Sequence, residues 1–306
     1  MTETRPGTVY ETGGGVYVVV TDEGDRVEAS LRGRIKQEQR TGSRVVIGDR
    51  VEVSREGGGW TVESLAPRRS ELVRRGRGGR YAKILATNLD RVFVVVSLRA
   101  PTASTQLIDR LLVLVESSDM RPVLVLNKAD IEGAEADAER LAAFYGKVGY
   151  RVLVTSAESG RGIGELRDEA RPGVSAFIGP SGAGKSSLLN AVDPTLTLRT
   201  GGLSRKTGTG RHTTVGSRLI SLQSGGLVAD TPGFGDVGLW EVEPGMVATC
   251  FPEFTVPGQD CRFRGCTHLH EPDCGVRSAV EDGRIARSRY ESYVTLRGES
   301  ESVPSY

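Results

Sequence analysis

The stretch from Gly179 to Ser187, G-P-S-G-A-G-K-S-S, constrains the fold of this chain more than any other. It follows the apolar run Val174 to Ile178 and precedes a segment with helical spacing, so it is predicted to join a strand to a helix. Its glycines let backbone N–H groups surround a phosphate, its lysine can reach the outer phosphates, and the Ser186 hydroxyl can bind Mg²⁺. A helix N-terminus behind the loop favours the anion further. We therefore predict a nucleotide-binding loop; the alternative is a tight strand-to-helix connection. The residues expected to contact the nucleotide here are Gly179, Pro180, Ser181, Gly182, Ala183, Gly184, Lys185, Ser186 and Ser187.

The loop comes late in an alternation of strands and helices that starts near Arg91. The run Arg91 to Leu98 is apolar on both faces, as in a buried parallel sheet. Further strands are predicted over 123–126, 151–154, 174–178 and 226–229, with helices over 105–117, about 136–145 and about 163–170. The alternation predicts a doubly wound parallel α/β sheet with its binding loops at the carboxyl ends of the strands.

A base-reading motif, N-K-A-D, begins at Asn127, at the end of one of these strands. The carboxylate of Asp130 can accept two hydrogen bonds from the N1–H and the amine of guanine, which adenine does not offer. Asn127 is expected to tether neighbouring loops, and the stem of Lys128 to pack along the base. Ser156 and Ala157, after the next strand, resemble the loop that contacts the guanine carbonyl oxygen in GTPases. Taken alone, each segment also fits an ordinary turn.

Segments that could sense the γ-phosphate follow the phosphate loop. The sequence D-T-P-G-F places Asp230 where it can approach Mg²⁺ and Gly233 near a γ-phosphate. Before it, the Gly- and Thr-rich segment 193–216 is expected to be mobile without ligand. Thr213 or Thr214 in that segment is the candidate to close onto Mg²⁺, and the sequence leaves the choice between them open.

All five motifs of a GTPase are thus present in a rotated order, with the base-reading motifs first and the phosphate motifs last. Chain ends of a compact domain often lie close together, so a new connection can join the old ends. The stretch 163–173 is predicted to be that connection.

The first 66 residues have a different pattern. Five short strands are predicted over 7–10, 16–21, 26–31, 45–53 and 60–64, separated by Gly- and Asp-rich turns and without a long helical pattern. This predicts a small barrel of the oligonucleotide-binding (OB) type, with an SH3-like barrel as the alternative. Tyr10, Tyr17 and Trp60 could serve nucleic-acid binding or belong to the core.

Basic residues are unevenly distributed, although the net charge is only +1. Residues 67–83 contain seven basic side chains and one acid, and residues 194–229 contain five basic side chains and no acid. Two acid-poor, Gly-rich segments favour a polyanionic partner over a merely solvated surface. The stretch 68–80 is also the natural linker between the barrel and the α/β region.

All four cysteines lie between Cys250 and Cys274, and such a cluster indicates a metal site. Three thiolates and an imidazole suit tetrahedral Zn²⁺, and the candidate ligands are Cys261, Cys266, His268 and Cys274. His270 is the competing ligand, and Cys250 is expected to be a buried thiol.

The chain is predicted to end with two helices, over 276–282 and about 285–296, and a disordered tail over 298–306. Arg284, Arg287 and Arg289 would contact RNA or lie in solvent. The apolar runs are too short to cross a bilayer and the start lacks the features of a signal peptide, so a cytoplasmic location without membrane contact is expected.

The rotated order, with G-P-S-G-A-G-K-S-S, G-R-H-T-T and D-T-P-G-F, resembles the circularly permuted GTPases that assist maturation of the bacterial small ribosomal subunit. The barrel, A-T-N-L-D before the first sheet strand and the cysteine-rich tail extend the resemblance over nearly the whole chain. It implies an OB-like β-barrel over 1–72, a permuted α/β P-loop GTPase domain over 73–243 and a small helical zinc-binding domain over 244–306.

The resemblance also implies a function: GTP hydrolysis stimulated by the 30S subunit, contact with 16S rRNA, and release after hydrolysis. The bound groups would be GTP or GDP, Mg²⁺ and one structural Zn²⁺, in a monomer. His268 is preferred over His270 as a zinc ligand because it matches the family position. His212 is the suggested catalytic residue, since Phe234 stands where Ras-like enzymes carry the glutamine that orients water.

Two alternatives stay open on the sequence. A non-catalytic RNA-binding assembly factor could use nucleotide as a structural ligand, which Phe234 favours. An ATP-using P-loop enzyme such as a small kinase is the other, and Asp130 argues against it.

Overall fold

A computed structural model describes residues 4–41, 44–56, 58–75, 82–198, 217–230 and 242–301. The strands are β1 Thr4–Gly13, β2 Val16–Thr21, β3 Arg26–Leu31, β4 Arg50–Glu56, β5 Gly59–Leu65, β6 Glu71–Arg75, β7 Ala82–Thr87, β8 Arg91–Ser97, β9 Pro122–Asn127, β10 Arg151–Val154, β11 Val174–Ile178, β12 Ser217–Ser221 and β13 Leu227–Asp230. The helices are α1 Gly33–Thr41, α2 Thr105–Glu116, α3 Ala134–Val148, α4 Ile163–Glu169, α5 Lys185–Val192, α6 Pro244–Val247, α7 Gly275–Glu281 and α8 Arg287–Glu301. By internal contacts the chain forms two compact units, the first made of residues 1–92, 166–177 and 201–234, and the second of the rest. Among the helices of the described ranges, none combines the length and the apolar character needed to cross a membrane.

The barrel lies in the first unit. Its strands follow the order β1, β2, β3, β5 and β4, and β4 pairs with β1 to close the ring. Buried and exposed side chains alternate along β2 and β3, as a sheet with one face in a core requires. The inward residues include Val9, Val19, Val53 and Val62, none of which has measurable exposure. The prediction of a five-stranded barrel is confirmed.

Two details of the barrel differ from the sequence-based expectation. Helix α1 was not predicted because its segment is mostly polar or charged and offers one buried apolar residue, Ile35, to the core. The fourth strand begins at Arg50 rather than at residue 45. A turn precedes it, in which the Asp49 carboxylate accepts the backbone N–H of Val46 at 2.8 Å.

The Arg-rich stretch expected to be a linker contains a strand. Strands β6 and β7 pair antiparallel, with Glu71 opposite Thr87. Leu72 in β6 is fully buried. Just before it, the guanidinium of Arg68 donates to both carboxylate oxygens of Asp49, at 2.7 and 2.9 Å. These contacts fix the start of the stretch to the barrel, so it is an ordered ribbon there rather than a free connection.

A strand that the sequence did not reveal, β12, completes the first unit. It pairs antiparallel with β13 on one side and with β1 of the barrel on the other. On its other edge β13 runs parallel to β11. The sequence of β12, S-R-L-I-S, offers only one buried side chain, Leu219, which is too weak a pattern to predict a strand.

The second unit contains β8, β9 and β10, which are adjacent in that order, together with α2, α3 and the C-terminal helices. Strands β9 and β10 are parallel, with Val123 opposite Arg151. The predicted strands and helices of this region are found at nearly the predicted positions. The predicted disordered tail is wrong at its start, because α8 continues to Glu301. Arg110 of α2 bonds Glu299 at 2.6 Å and stabilises this extra turn.

Candidate functional site

The phosphate loop joins β11 to α5, as predicted. Two of its glycines have positive φ angles and no room for a side chain: 143° at Gly179 and 93° at Gly184. A Cβ at Gly179 would collide with the backbone carbonyl of Val95, and one at Gly184 with the amide of Asn127. Only glycine meets both conditions without strain. The loop is therefore pressed against the ends of neighbouring strands, with its N–H groups at the start of α5.

The Lys185 ammonium lies over this loop. It donates to the carbonyl oxygens of Gly179 and Pro180, at 2.7 and 2.9 Å. Burial lowers the pKa of the Lys185 amine. Among the described residues these two neutral carbonyls are its hydrogen-bond partners, and a desolvated cation held in this way gains stabilisation from an anion nearby. The lysine is thus placed to bind phosphate.

Asn127 connects three loops of the site. Its side chain is 1% exposed. The amide nitrogen donates to the carbonyl of Ala183 at 2.8 Å, and the amide oxygen accepts from the hydroxyl of Thr155 at 3.2 Å. The backbone N–H of Ala129 also donates to the Thr155 carbonyl, at 3.1 Å. The tethering role predicted for Asn127 is confirmed by these bonds.

The other base-reading residues surround this junction. Asp130 lies in a turn with its side chain exposed, so its carboxylate is open to a ligand. Lys128 donates to the carbonyl of Ala100 at 2.6 Å. Ser156 is fully buried, and its hydroxyl accepts the backbone N–H of Ser159 at 3.0 Å. The Ser156 backbone also bonds within the loop, to the Arg161 carbonyl and the Gly160 N–H, both at 3.0 Å, so the loop is fixed internally.

Asp230 is the last residue of β13 in the first unit. Its carboxylate accepts from Nε of Arg218, the neighbouring residue on β12, at 3.2 Å, and both side chains are about half exposed. An exposed ion pair of this kind contributes only about 0–1 kcal/mol, so a cation can replace Arg218 at little cost. The remaining predicted site residues lie outside the described residues: His212, Thr213, Thr214 and Gly233.

The cysteine-rich tail brings four metal-binding groups together: Cys261, Cys266, His268 and Cys274, whose ligand atoms all lie within 4.8 Å of one another. From Nδ1 of His268, the sulfurs of Cys261 and Cys274 are 3.6 and 3.4 Å away, and the two sulfurs are 3.9 Å apart. Tetrahedral zinc, with bonds of about 2.3 Å to sulfur and about 2.0 Å to nitrogen, requires separations of about 3.5 Å for N···S and about 3.8 Å for S···S. The donor set therefore fits zinc. His270 is exposed and does not belong to this group.

The loop that carries the metal-binding group is organised by Glu271. Its carboxylate accepts the backbone N–H and the hydroxyl of Thr267 at 2.7 and 2.5 Å, and the N–H groups of Leu269 and His270 at 3.2 and 3.3 Å. Burial opposes ionisation, but these bonds outweigh it and hold the pKa of Glu271 well below its usual range. The hydroxyl of Tyr290 donates to the carbonyl of His268 at 2.7 Å. Burial also lowers the pKa of His268, which favours the neutral imidazole that a metal requires.

Arg289 is a residue whose environment the sequence analysis missed. It was expected in solvent or on RNA, and it is 0% exposed. Its guanidinium forms a two-pronged pair with Glu253, at 2.6 and 3.1 Å, and donates to Asp109 of α2 at 2.7 Å. The ring of Phe251 lies 4.5 Å from the guanidinium carbon. Burial alone would lower the pKa of Arg289, but Glu253 and Asp109 raise it above its ordinary value.

The sequence signal that could have predicted this burial is the spacing of the buried residues along α8. Arg289 stands on the same helical face as Tyr293 and Leu296, both of which are buried. Tyr145 of α3 completes the network by donating to Asp109 at 2.8 Å. The buried arginine therefore connects α2 and α3 with the C-terminal segment that holds the cysteines. Cys250 is buried nearby and outside the cysteine group, as predicted.

Comparison with known proteins gives one consistent result. The RsgA GTPase family matches residues 65–240. The small ribosomal subunit biogenesis GTPase RsgA of Gemmatimonas aurantiaca is 46% identical over 303 residues, which cover 98% of each chain. The protein of the same description from Moorella thermoacetica is 43% identical over 294 residues, which cover 96% of each.

Solved structures agree with the sequence comparison. The crystal structure of YjeQ from Thermotoga maritima has a TM-score of 0.80 at 35% identity, covering 98% of this chain and 99% of that one. That of YloQ, described as a circularly permuted GTPase, has a TM-score of 0.77 at 31% identity, covering 99% and 98%. The similarity in sequence and in fold extends over all three regions of the chain.

Proposed function

The chain belongs to the RsgA family of circularly permuted GTPases, and from this premise we propose that it binds the 30S subunit, assists its late maturation and leaves after hydrolysing GTP. It is a GTP hydrolase of small ribosomal subunit biogenesis. The observation that carries the proposal is the pair of hydrogen bonds that the Asn127 side chain forms, one to the Ala183 carbonyl and one with the Thr155 hydroxyl. Base-reading and phosphate-binding loops meet at this side chain although their motifs occur in rotated order. A single guanine nucleotide can therefore contact both.

The nucleotide contacts follow from these positions. Asp130 would accept the N1–H and the amine of guanine, and the stem of Lys128 would pack along the base. The backbone at Ser156 and Ala157 would contact the guanine carbonyl oxygen. The loop over 179–187 would surround the phosphates, with Lys185 exchanging its carbonyl partners for phosphate oxygens.

The residues expected around Mg²⁺ are a hydroxyl and a carboxylate, the oxygen ligands that this ion prefers. Ser186 would bind it directly and Asp230 through a water molecule, once Asp230 has left Arg218. Thr213 or Thr214 would complete the set, with Gly233 near the γ-phosphate. Bound there, the ion neutralises charge on the transferred phosphoryl group.

His212 is the candidate for orienting the attacking water, because an imidazole can hydrogen-bond a water molecule or accept its proton. Phe234 cannot do either. The proposal for His212 rests on the family resemblance of the G-R-H-T-T segment.

The cysteine-rich tail is proposed to hold one structural zinc through Cys261, Cys266, His268 and Cys274, supported by their tetrahedral spacing. With four protein ligands no position is left for substrate, so the metal would fix the fold of the loop. The basic ribbon that begins at Arg68 and the barrel are proposed to contact 16S rRNA. We propose a monomer that works in the cytoplasm, where small subunits are assembled.

The test is GTP hydrolysis measured with and without purified 30S subunits. We expect the subunits to raise turnover by at least about tenfold, equivalent to about 1.4 kcal/mol of barrier. Lys185→Ala should weaken GTP binding by about 10- to 100-fold, because it removes charged hydrogen bonds to phosphate. Lys147→Ala, an exposed lysine in the last turn of α3, is the matched control and should behave as wild type. No stimulation by the subunits would contradict the proposed coupling to the 30S subunit, and no GTP turnover under either condition would favour a non-catalytic RNA-binding factor instead.

A further inference from the structure

One end of the barrel opens into a cavity of about 530 Å³. We call it the barrel mouth; the residues that line it are Arg5, Asp25, Arg26, Val27, Arg55 and Trp60. Val27 belongs to the barrel core, and Trp60 packs against that core while remaining partly exposed. The mouth therefore has an apolar, aromatic floor under a charged rim. Nothing in the nucleotide or metal sites uses it.

Strand pairing holds the aromatic ring and the cations on one face. Trp60 of β5 is directly opposite Arg55 of β4, and directly opposed residues of an antiparallel pair point to the same side. The guanidinium carbon of Arg5 lies 5.7 Å from the centre of the indole ring. The ring thus has the Arg5 guanidinium of β1 over its face and Arg55 opposite Trp60 on β4.

The rim is positively charged and partly free. Arg5 pairs with Glu23 and Asp25 at 2.9 and 3.0 Å, and these carboxylates are more than half exposed. Such surface pairs are weak enough for a ligand anion to replace them. Arg55 is exposed, and its guanidinium has no ion-pair or hydrogen-bond partner in the part of the chain that the structure describes. The mouth can therefore receive an anion without leaving a buried charge unpaired.

We propose that the barrel mouth binds one nucleotide of a single-stranded RNA segment. The base stacks on the Trp60 indole in place of the Arg5 guanidinium, which lies over that ring in the free protein, and the adjoining phosphate pairs with Arg55. Stacking on an aromatic ring combined with backbone neutralisation is how proteins bind unpaired strands with little sequence preference. A duplex cannot use the floor, because its bases are already stacked on each other. The inference rests on the proposed function, since the RNA it implies is rRNA of the 30S subunit.

The experiment uses the full chain and a fluorescein-labelled ten-nucleotide oligouridylate, with a duplex of the same length as second probe. Trp60→Leu should weaken oligouridylate binding by about fivefold or more, since stacking contributes about 1–3 kcal/mol per base. Trp60→Phe keeps an aromatic face and should restore most of the affinity. Arg55→Gln should weaken binding and reduce the slope of log affinity against log salt by about 0.7, the value for one phosphate on a single strand.

Arg34→Gln is the matched control. Arg34 is an exposed arginine of α1 that lines a different cavity of the barrel, with Leu65 and Ala66. Arg34→Gln should change the affinity for oligouridylate less than about twofold, and its slope of log affinity against log salt should equal that of wild type. Thermal unfolding of each variant separates lost binding from lost folding, and Arg55→Gln removes no core packing because Arg55 is exposed.

The proposal is overturned if wild type prefers the duplex or binds neither probe, or if Trp60→Leu and Arg55→Gln bind oligouridylate as tightly as wild type. It is also overturned if Trp60→Leu loses affinity only in proportion to unfolding while Arg55→Gln has no effect. Turnover with 30S subunits, measured on the same wild-type preparation, keeps the two questions separate. If 30S subunits stimulate wild-type turnover but the mouth variants bind oligouridylate normally, only the proposal for the barrel mouth is overturned. If the subunits do not stimulate wild-type turnover but the mouth variants lose oligouridylate binding, only the proposed function is overturned.

Discussion

At the scale of single residues, the nucleotide site depends on a buried amide and an exposed carboxylate. Asn127 is buried and holds the phosphate loop and the Thr155 loop by one hydrogen bond each. Asp130, three residues later, is exposed and free to meet a base. We therefore expect Asn127 to position the loops and Asp130 to select the base.

Replacing Asp130 by Asn should change the preferred base. An amide would present an N–H to the guanine amine, so GTP affinity should fall by about 10- to 100-fold, the effect of losing a two-bond base contact worth about 1–3 kcal/mol. Xanthosine triphosphate, which carries a carbonyl in place of the amine, should bind better to the variant than to wild type. Competition between the two nucleotides measures the change. The control is Asp168→Asn, on the exposed side of α4, which should not alter the preference for GTP over xanthosine triphosphate. If Asp130→Asn also leaves that preference unaltered, Asp130 does not recognise the base.

Arg289 is a fully buried cation of the second unit that pairs with Asp109 and Glu253. Arg289→Met would leave Asp109 and Glu253 without their cation in a dry environment. We expect the free energy of unfolding to fall by about 3–5 kcal/mol, the usual effect of breaking a buried pair. Urea denaturation measures this, with Arg287→Met, an exposed neighbour on α8, as the control. A loss no larger than that of Arg287→Met would mean that the network does not stabilise the fold.

At the scale of elements, the cysteine-rich loop has little regular structure of its own. It lies between short 3₁₀ turns and α7, and it is held by the Glu271 carboxylate and the Tyr290 hydroxyl. Its four candidate ligand atoms lie within 4.8 Å of one another. A metal bound there would contribute directly to folding, as in other small metal-dependent loops.

Purified protein should contain about one equivalent of zinc per chain by elemental analysis, because all four coordination positions are supplied by the chain. Cys274→Ser should lose most of it, and removal of zinc by a chelator should lower the unfolding temperature. Cys250→Ser is the matched control, since Cys250 is buried outside the group and should leave the zinc content unchanged. Less than about half an equivalent in the wild type would contradict the assignment.

How far elements can be predicted depends on where their stability comes from. Strands such as β9 and helices such as α2 are buried through most of their length, so their apolar periodicity is strong and their positions were predicted closely. By contrast, among the side chains that the structure describes, α1 and β12 each offer the core one buried apolar side chain, and neither element was predicted. The β6–β7 ribbon was mistaken for a linker because its many arginines and glycines are typical of a linker, although Leu72 is buried.

Within the site, the sequence predicted the motifs better than their environment. Loop glycines and Asn127 were identified because their chemistry permits few alternatives. The burial of Arg289 was not, because its partners Asp109 and Glu253 are far away in sequence and isolated arginines are usually exposed. The ion pair of Asp230 with Arg218 depends on the register of β12, which the sequence did not reveal.

At the scale of the whole molecule, the GTPase motifs lie in rotated order between the barrel and the cysteine-rich region. Predicted domain boundaries at 72 and 243 place the barrel before the GTPase domain and the cysteine-rich region after it, and they remain predictions. Within the first unit, barrel strand β1 pairs with β12, and β12 pairs with β13, which ends at Asp230. If nucleotide binding changes Asp230, that change would occur only two strands away from the barrel. We expect the nucleotide to control how tightly the protein holds its partner.

The most direct measurement of this claim is the affinity for purified 30S subunits with a non-hydrolysable GTP analogue and with GDP, by co-sedimentation on one protein preparation. If hydrolysis releases the protein, the analogue should support binding at least about tenfold tighter than GDP, a difference of about 1.4 kcal/mol. Lys185→Ala, impaired in nucleotide binding, should lose the difference. Equal affinity with the two nucleotides in wild type would contradict the account.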